Sequence, residues 1–394
     1  MNEKMRDALN APGEARGHWA RAAWGIGVDV AGPAAADVDE KARLPYETLA
    51  ALRDLRFMSA MLPTSMGGGG ATMLDMVGAV RALGAHCASS ALVLAMHCIE
   101  IVNLSRHGAT EGLRGLSREV AARQLLIANA NSEVGLGGDV GRSLCWLDTT
   151  VTPWTLDKQA LAISYGEQAD LIVVTARRSA EAHETDQFLV VVRAADVELT
   201  PISEWDTLGL RGTCSRGYAL HARVEPDLIY PVPFSTLAND GGGQAGQLLR
   251  SAAWVGIAEA AAARAHEFVR SAARKNIGSM PPGTMRLAEI TADVHEARSL
   301  LASCAARYED LEECNELQSA ALTIALGNLK VSTSETAVRV ATAALGVCGM
   351  SGFQRTSPFS LDRLIRDAHG GLIMVSNHRY LSDNAQLLLA RKNL

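Results

Sequence analysis

Apolar residues recur at helical spacing in TLAALRDLRFMSAML and in MLDMVGAVRALGAHCASSALVLAMHCIEIVNLSRHG, both rich in strong helix formers, so residues 1–125 predict a helical domain. Between these stretches lies PTSMGGGGAT. Its four consecutive glycines at 67–70 cannot sit inside a stable helix and predict a turn that links two helices. From 126 to 235 the period changes: LLIANANS, TTVTPWTL, ALAIS, DLIVVTARR, FLVVVRA, VELTPI and YALHARV are short β-rich runs separated by turn residues, which predicts an inserted β-domain. Residues 236–394 return to the helical period. LLRSAAWVGIAEAAAARAHEFVRSAARK, RLAEITADVHEARSLLASCAARYEDLEE, LQSAALTIALGNLKVSTSETAVRVATAALGV and RLIRDAHGGLIMVSNHRYLSDNAQLLLARK predict four long amphipathic helices in an antiparallel bundle. KNIGSMPPGTM is the connection between the first two, and FSTLANDGGGQAG at 234–246 is expected to be flexible and to border an active site. The fold class is α+β, mostly α, in three parts.

Length and charge narrow the function. A chain of 394 residues exceeds the roughly 100–200 typical of one domain. Lys+Arg 37 against Asp+Glu 43 leaves a formal charge of −6, without the basic excess of a nucleic-acid binder. No uninterrupted apolar run reaches the roughly 20 residues of a membrane span, and MNEKMRDALNAPGEARGHWARAAWG lacks the apolar core of a secretory signal, so a cytoplasmic location is expected. Seven cysteines, never spaced as CxxC, read as reduced thiols acting as small hydrophobes, with no metal implied.

Several strings carry candidate chemistry. Asn131-Ser132-Glu133-Val134-Gly135-Leu136-Gly137-Gly138-Asp139 is a strand running into a glycine-rich turn, which exposes backbone N–H groups able to bond a ligand carbonyl. Ala162-Ile163-Ser164-Tyr165-Gly166 places a hydroxyl on a strand. Trp205-Asp206-Thr207-Leu208-Gly209-Leu210-Arg211-Gly212-Thr213-Cys214-Ser215 is a turn in which Arg211 suits a backbone carbonyl as readily as a ligand. Arg274-Lys275 with Gly278, the run Ala344-Leu345-Gly346-Val347-Cys348-Gly349, and Arg363-Leu364-Ile365-Arg366-Asp367-Ala368 complete the set.

Together these strings resemble the acyl-CoA dehydrogenase superfamily over nearly the whole chain. The first is similar to the family's Thr-Glu-Pro-Gly-Ala-Gly-Ser-Asp loop, the second to its Trp-Ile-Thr-Asn-Gly strand, and the third to its Leu-Gly-Met-Arg-Gly-Thr turn. The resemblance implies a helical domain, a middle β-barrel domain and a C-terminal four-helix bundle. It also implies FAD, with Asn131, Ser132, Gly137, Gly138, Ile163 and Ser164 at the flavin. Arg274, Gly346 and Gly349 would then meet FAD across a subunit boundary, so a homodimer or homotetramer is expected. Ala162 stands where the family carries a bulky aromatic, and the segment before Arg286 is shorter than usual, with Pro281 near the family's glutamine.

The family's catalytic base is a glutamate beside the substrate's α-carbon, in one of two places. Counting on from Arg366-Asp367-Ala368, the first place is Val375; the second, just before an arginine on the first bundle helix, is Leu249. Neither side chain accepts a proton. Arg250 matches the family's arginine but stays protonated. Histidine titrates near neutrality, which makes His97, His369 and His378 the substitutes to weigh, His97 first because it belongs to the apolar stripe LVLAMH and borders the expected substrate cavity. Arg250 and His97 are the expected substrate contacts.

Three functions compete. The first is an FAD-dependent oxidoreductase acting on an acyl thioester of CoA or a carrier protein, with electron-transfer flavoprotein as a redox partner. The second is a monooxygenase on the same fold, using O2 and reduced flavin supplied by a flavin reductase. The third is a catalytically degenerate subunit of a hetero-oligomer.

Overall fold

The computed structural model describes residues 17–275 and 278–390. Residues 1–16, with most of the N-terminal stretch read above, and 276–277, within the predicted connection, lie outside the described residues.

The first part is helical: α1 (His18–Ile26) and α2 (Gly32–Glu40), joined by a π-turn, then α3 (Tyr46–Asp54), α4 (Met73–Gly84), α5 (Ala88–His107) and α6 (Glu111–Arg123). Local chemistry starts these helices. Thr72 Oγ1 accepts from Asp75 N while Asp75 accepts from Thr72 N, a reciprocal cap at the head of α4. Gly67 and Gly70 take positive φ, as the predicted turn requires. TLAALRDLRFMSAML is helical only to Asp54, because Arg56 enters the left-handed region and starts a 3-10 turn. Helix α5 is long and apolar enough to cross a membrane, yet 94% of that stretch is buried inside the protein.

Two sheets form the middle. β1 (Ile127–Ala130), β4 (Leu171–Arg177) and β5 (Gln187–Arg193) make one, with β1 parallel to β4. β2 (Leu147–Asp148), β3 (Trp154–Ile163), β7 (Arg216–Val224) and β6 (Val197–Pro201) make the other, all antiparallel. The runs LIVVTA and FLVVV do not alternate because both faces of their sheet are covered: Ile172 and Val174 join the main core, Leu171 and Val173 a second core with Leu113 and Val120 of α6. β3 and β7 alternate because one face meets solvent.

The third part comprises α7 (Phe234–Asn239), α8 (Gly242–Lys275), α9 (Thr284–Glu313), α10 (Ala320–Cys348), a single turn α11 (Met350–Phe353), α12 (Asp362–Ile373) and α13 (Asn377–Ala390). Two expectations are corrected. FSTLANDGGG folds into α7 and the head of α8, where Gly242 N donates to Asn103 Oδ1 at 2.8 Å. The fourth predicted bundle helix is broken into α12 and α13, because Val375 has φ 37°.

Close backbone contacts join the parts. A Cβ on Gly256 of α8 would lie 2.5 Å from Arg81 O of α4, and one on Gly209 would lie 2.3 Å from Arg366 O and 2.7 Å from Asp367 N. Nothing in the Gly209 contact is a flexible side-chain end. We expect Gly209→Ala to cost about 2–4 kcal/mol, read as a fall in the urea midpoint; an unchanged midpoint contradicts the contact.

Glu100 of α5 is fully buried and accepts from Asn103 Nδ2 and Asn129 Nδ2, each at 3.1 Å. Burial pushes its carboxyl up to about 7, against the opposing pull of the two amides. Between the unperturbed value of 4.5 and 7 the folded protein keeps a proton that the unfolded chain has released, so stability falls as pH rises through that window and levels off above it. Glu100→Gln removes this contribution, on the order of 3 kcal/mol. Urea stabilities of both proteins at pH 5 and pH 8 check it; equal pH differences in the two would refute it.

Candidate functional site

The segment expected to carry the base is placed by the start of α12. Asp367, 2% exposed, accepts from Leu210 N at 2.7 Å, and Arg366 pairs with Asp39 and with Asp362. Beyond Ile373 the helix stops and Val375 enters the left-handed region, a conformation costing a β-branched residue on the order of 1–3 kcal/mol. Lys330 of α10 holds it there. Its Nζ donates to Val375 O and to Asn377 Oδ1, both at 2.5 Å, and Asn377 Nδ2 donates to Ser334 Oγ at 3.1 Å. The Lys330 side chain is 0% exposed, and burial, then repulsion from Arg250, brings its amine down to about 7. Among the described residues, the carboxylate bonded to this segment is Glu335, which is exposed. Leu249 is buried core.

The histidines do not gather here. His97 is 0% exposed; its Nε2 lies 2.7 Å from Met58 O and its Nδ1 accepts from Ile127 N at 3.1 Å, while burial brings it down to about 4. Both ring nitrogens are occupied in tying α5 to the Phe57–Ser59 turn and to β1. That corrects the expectation of a base or substrate contact: the apolar stripe it belongs to faces the core. His369 Nδ1 bonds Ile365 O of its own helix at 2.8 Å, and His378 is exposed at the head of α13.

The strings of the β-domain do meet. Glu133 is the anchor: its carboxylate accepts from Ser143 Oγ at 2.8 Å, Leu144 N at 3.0 Å and Cys145 N at 2.9 Å, and pairs with buried Lys158 at 3.1 Å. Val134 N donates to Gln159 O and Leu161 N to Ser132 O, laying Asn131–Val134 along the end of β3 beside Ile163 and Ser164. Gly137 and Gly138 have positive φ and open space around them. Arg379 of α13 donates to both their carbonyls, so the loop is held by the helix that follows Val375. Ser164 Oγ lies 2.7 Å from Ser215 Oγ, which lies 2.8 Å from Thr213 Oγ1, forming a chain of hydroxyls. The Ile163 side chain is buried, leaving only its backbone for a ligand. Arg211 is structural, donating to Asp39 O and Thr207 O. Arg274 is exposed at the end of α8, Gly346 has open space at its Cβ position, and Gly349 caps α10 with φ 54°.

Sequence reasoning passed over Lys330, Arg379 and Lys158. For Lys330 the available signal was a lysine among apolar and small residues, as in GNLKVST.

Buried polar atoms without protein partners occur in several parts of the fold, and one set of them shares a face of α8. Asn131 Oδ1 is one; Gln247 Oε1, Arg250 Nε, Ser251 Oγ and Trp254 Nε1 follow one another along α8. Such atoms in a folded protein are satisfied by ligand or ordered water.

Comparison with known proteins agrees. The acyl-CoA dehydrogenase N-terminal domain model matches residues 28–121 and the C-terminal domain model residues 244–374. A probable acyl-CoA dehydrogenase, FadE25 of Mycobacterium tuberculosis (strain ATCC 25618 / H37Rv), is 27% identical over 349 residues, covering 85% of each chain. Butyryl-CoA dehydrogenase from Megasphaera elsdenii shares the fold with a TM-score of 0.82 at 21% identity, covering 99% of both chains. FMN-bound TdsC, a dibenzothiophene monooxygenase from Paenibacillus sp. A11-2, shares it at 0.81 and 17% identity, covering 94% of this chain and 96% of that one. With both family domains matched in order around a β-domain of the expected place, the chain belongs to the acyl-CoA dehydrogenase superfamily of flavin-dependent enzymes.

Proposed function

We propose that this enzyme binds FAD and acts as an oxidoreductase on an acyl thioester, with the thioester seated between α5, α8 and the Val375 segment. The observation that carries the reading is the unsatisfied polar face of α8, Gln247 to Trp254, close to a segment pinned in the left-handed region by a buried lysine. Asn131, Ser132, Ser164 and the backbone of Gly137, Gly138 and Ile163 would hold the flavin ring. Arg274, Gly346 and Gly349 would serve a neighbouring subunit's FAD in a dimer or tetramer. When bound, FAD supplies a two-electron acceptor for hydride.

The chain's own contribution is mostly positional. Glu133 and Lys158 fix the loop from within, and Arg379 fixes it from α13, so the loop and the Val375 segment are set relative to each other. The hydroxyl chain of Ser164, Ser215 and Thr213 can relay or donate a proton along the β3 edge. Val375 and Leu249 hold no base, so an α-proton is not removed by a side chain at either place. Desaturation of the acyl chain here would send the β-hydride to the flavin and the α-proton to a water in the site, since neither position supplies a side-chain base. The missing base also favours a second reading, oxygenation by reduced flavin and O2, and the similarity in fold to TdsC supports it.

The purified protein is expected to show flavin absorbance and to bleach when acyl-CoA esters of graded chain length are added anaerobically. Flavin present but unbleached by every ester, with oxygen consumed once a flavin reductase is supplied, would replace the first reading by the second. Flavin present with neither response would leave the chain a non-catalytic subunit.

A further inference from the structure

Arg250 is the one residue of the α8 face that carries a charge. Its guanidinium folds back one turn along the helix: a Cβ on Gly246 would lie 2.9 Å from each terminal nitrogen and 3.0 Å from Ile99 Cδ1. The guanidinium and Ile99 of α5 thus both border the space over Gly246. Its Nε is buried with no hydrogen-bond partner, and among the described residues no carboxylate bonds to it or pairs with it. Other arginines of the surrounding helices are matched. Arg81 and Arg298 share Glu259, Arg106 holds Asp240 and Glu312, and Arg366 holds Asp39 and Asp362.

On α10, Lys330 is lowered by burial and then by repulsion from Arg250, with the exposed Glu335 pulling the other way, and its amine is committed to Val375 O and Asn377 Oδ1. A partly buried cation next to a second buried cation is costly unless an anion arrives from elsewhere. The position where the family sets a carboxylate, Val375, offers none.

We propose that Arg250, backed by Lys330, receives a carboxylate carried on the acyl part of the substrate, so that the natural substrate is an acyl thioester bearing a second, anionic group. The planar fork of the guanidinium suits a carboxylate, and the absence of a side chain at Gly246 makes room for the guanidinium. This rests on the acyl thioester reading above and narrows it to a substrate class. Arg250 is here a specificity-determining residue.

The test compares binding of malonyl-, succinyl- and glutaryl-CoA with propionyl-, butyryl- and pentanoyl-CoA, matched in carbon number, by isothermal titration of the flavin-loaded protein. At least one anionic ester is expected to bind roughly tenfold or more tighter than its neutral match. Arg250→Gln should abolish that preference, and Arg250→Lys should restore part of it. Gly246→Ala, which keeps the charge but displaces the guanidinium, should reduce the preference, with thermal melting confirming that each variant folds. Equal binding of anionic and neutral esters by the unmodified protein would overturn the proposal and leave the thioester reading standing, as would a preference that survives Arg250→Gln. Failure of every ester to bind would remove the thioester reading and this proposal with it.

Discussion

Arg366 and Asp367 bring all three parts of the chain to one place. Arg366 reaches Asp39 of α2 and the carbonyl of Leu208, while Asp367 receives the backbone N–H of Leu210 and faces Arg363 at 3.7 Å. A buried carboxylate with so few partners is held above the usual carboxylate range by burial, so its retention needs the N–H of Leu210 in position. That N–H is in position only because Gly209 lets two backbones touch. Arg211 adds a bond to Asp39 O from the same turn. Helical domain, β-domain and bundle are thus registered by main-chain contact as well as by ion pairs, and the residues that follow Asp367 inherit the placement.

Eight residues on, that rigidity reaches Val375. A helix leaving a fixed start would run on, as the amphipathic pattern from Arg363 to Lys392 predicts. It stops where Lys330 captures Val375 O and Asn377 Oδ1. Two costs offset each other here. A β-branched residue at positive φ is strained, and an amine in the core is desolvated; the two bonds satisfy the amine while holding the bend. Arg379, in the first turn of α13, then reaches back to Gly137 and Gly138, so the break in the helix is what brings the loop under control from the bundle side.

The features that could be read from sequence are those with a local cause. The period change at residue 126, the glycine run at 67–70 and the turn at Leu208–Thr213 each depend on neighbours a few residues away, and each is found where the pattern puts it. The helix break at Val375 has its cause 45 residues upstream in Lys330, and the local pattern argues for a continuous helix. His97 misled for a related reason. An apolar stripe ending in histidine fits a cavity wall or a core pin, and only the positions of Met58 O and Ile127 N decide between them. The two-residue strand β2 is too short for any period to reveal, and FSTLANDGGG carries loop composition while Gly242 and Gly243 are required by close packing on Asn103 and Ala238.

The charge around the Val375 segment gives a neutral residue at this position a structural meaning. A carboxylate on this bend would lie beside two cations, Arg250 and Lys330, and would offset both. With valine there, the fold keeps the cations and the bend: Lys330 bonds the Val375 carbonyl and the Asn377 amide oxygen, and Asn377 Nδ2 reaches Ser334 Oγ and the exposed Glu335 carboxylate, so none of these bonds uses the side chain at position 375. The geometry therefore does not depend on the residue's charge, which is why a neutral side chain can stand at this position without collapsing the site. The local charge does depend on it. One carboxylate would offset part of the positive charge of Arg250 and Lys330, whereas valine leaves that charge in place, which favours a substrate group of negative charge.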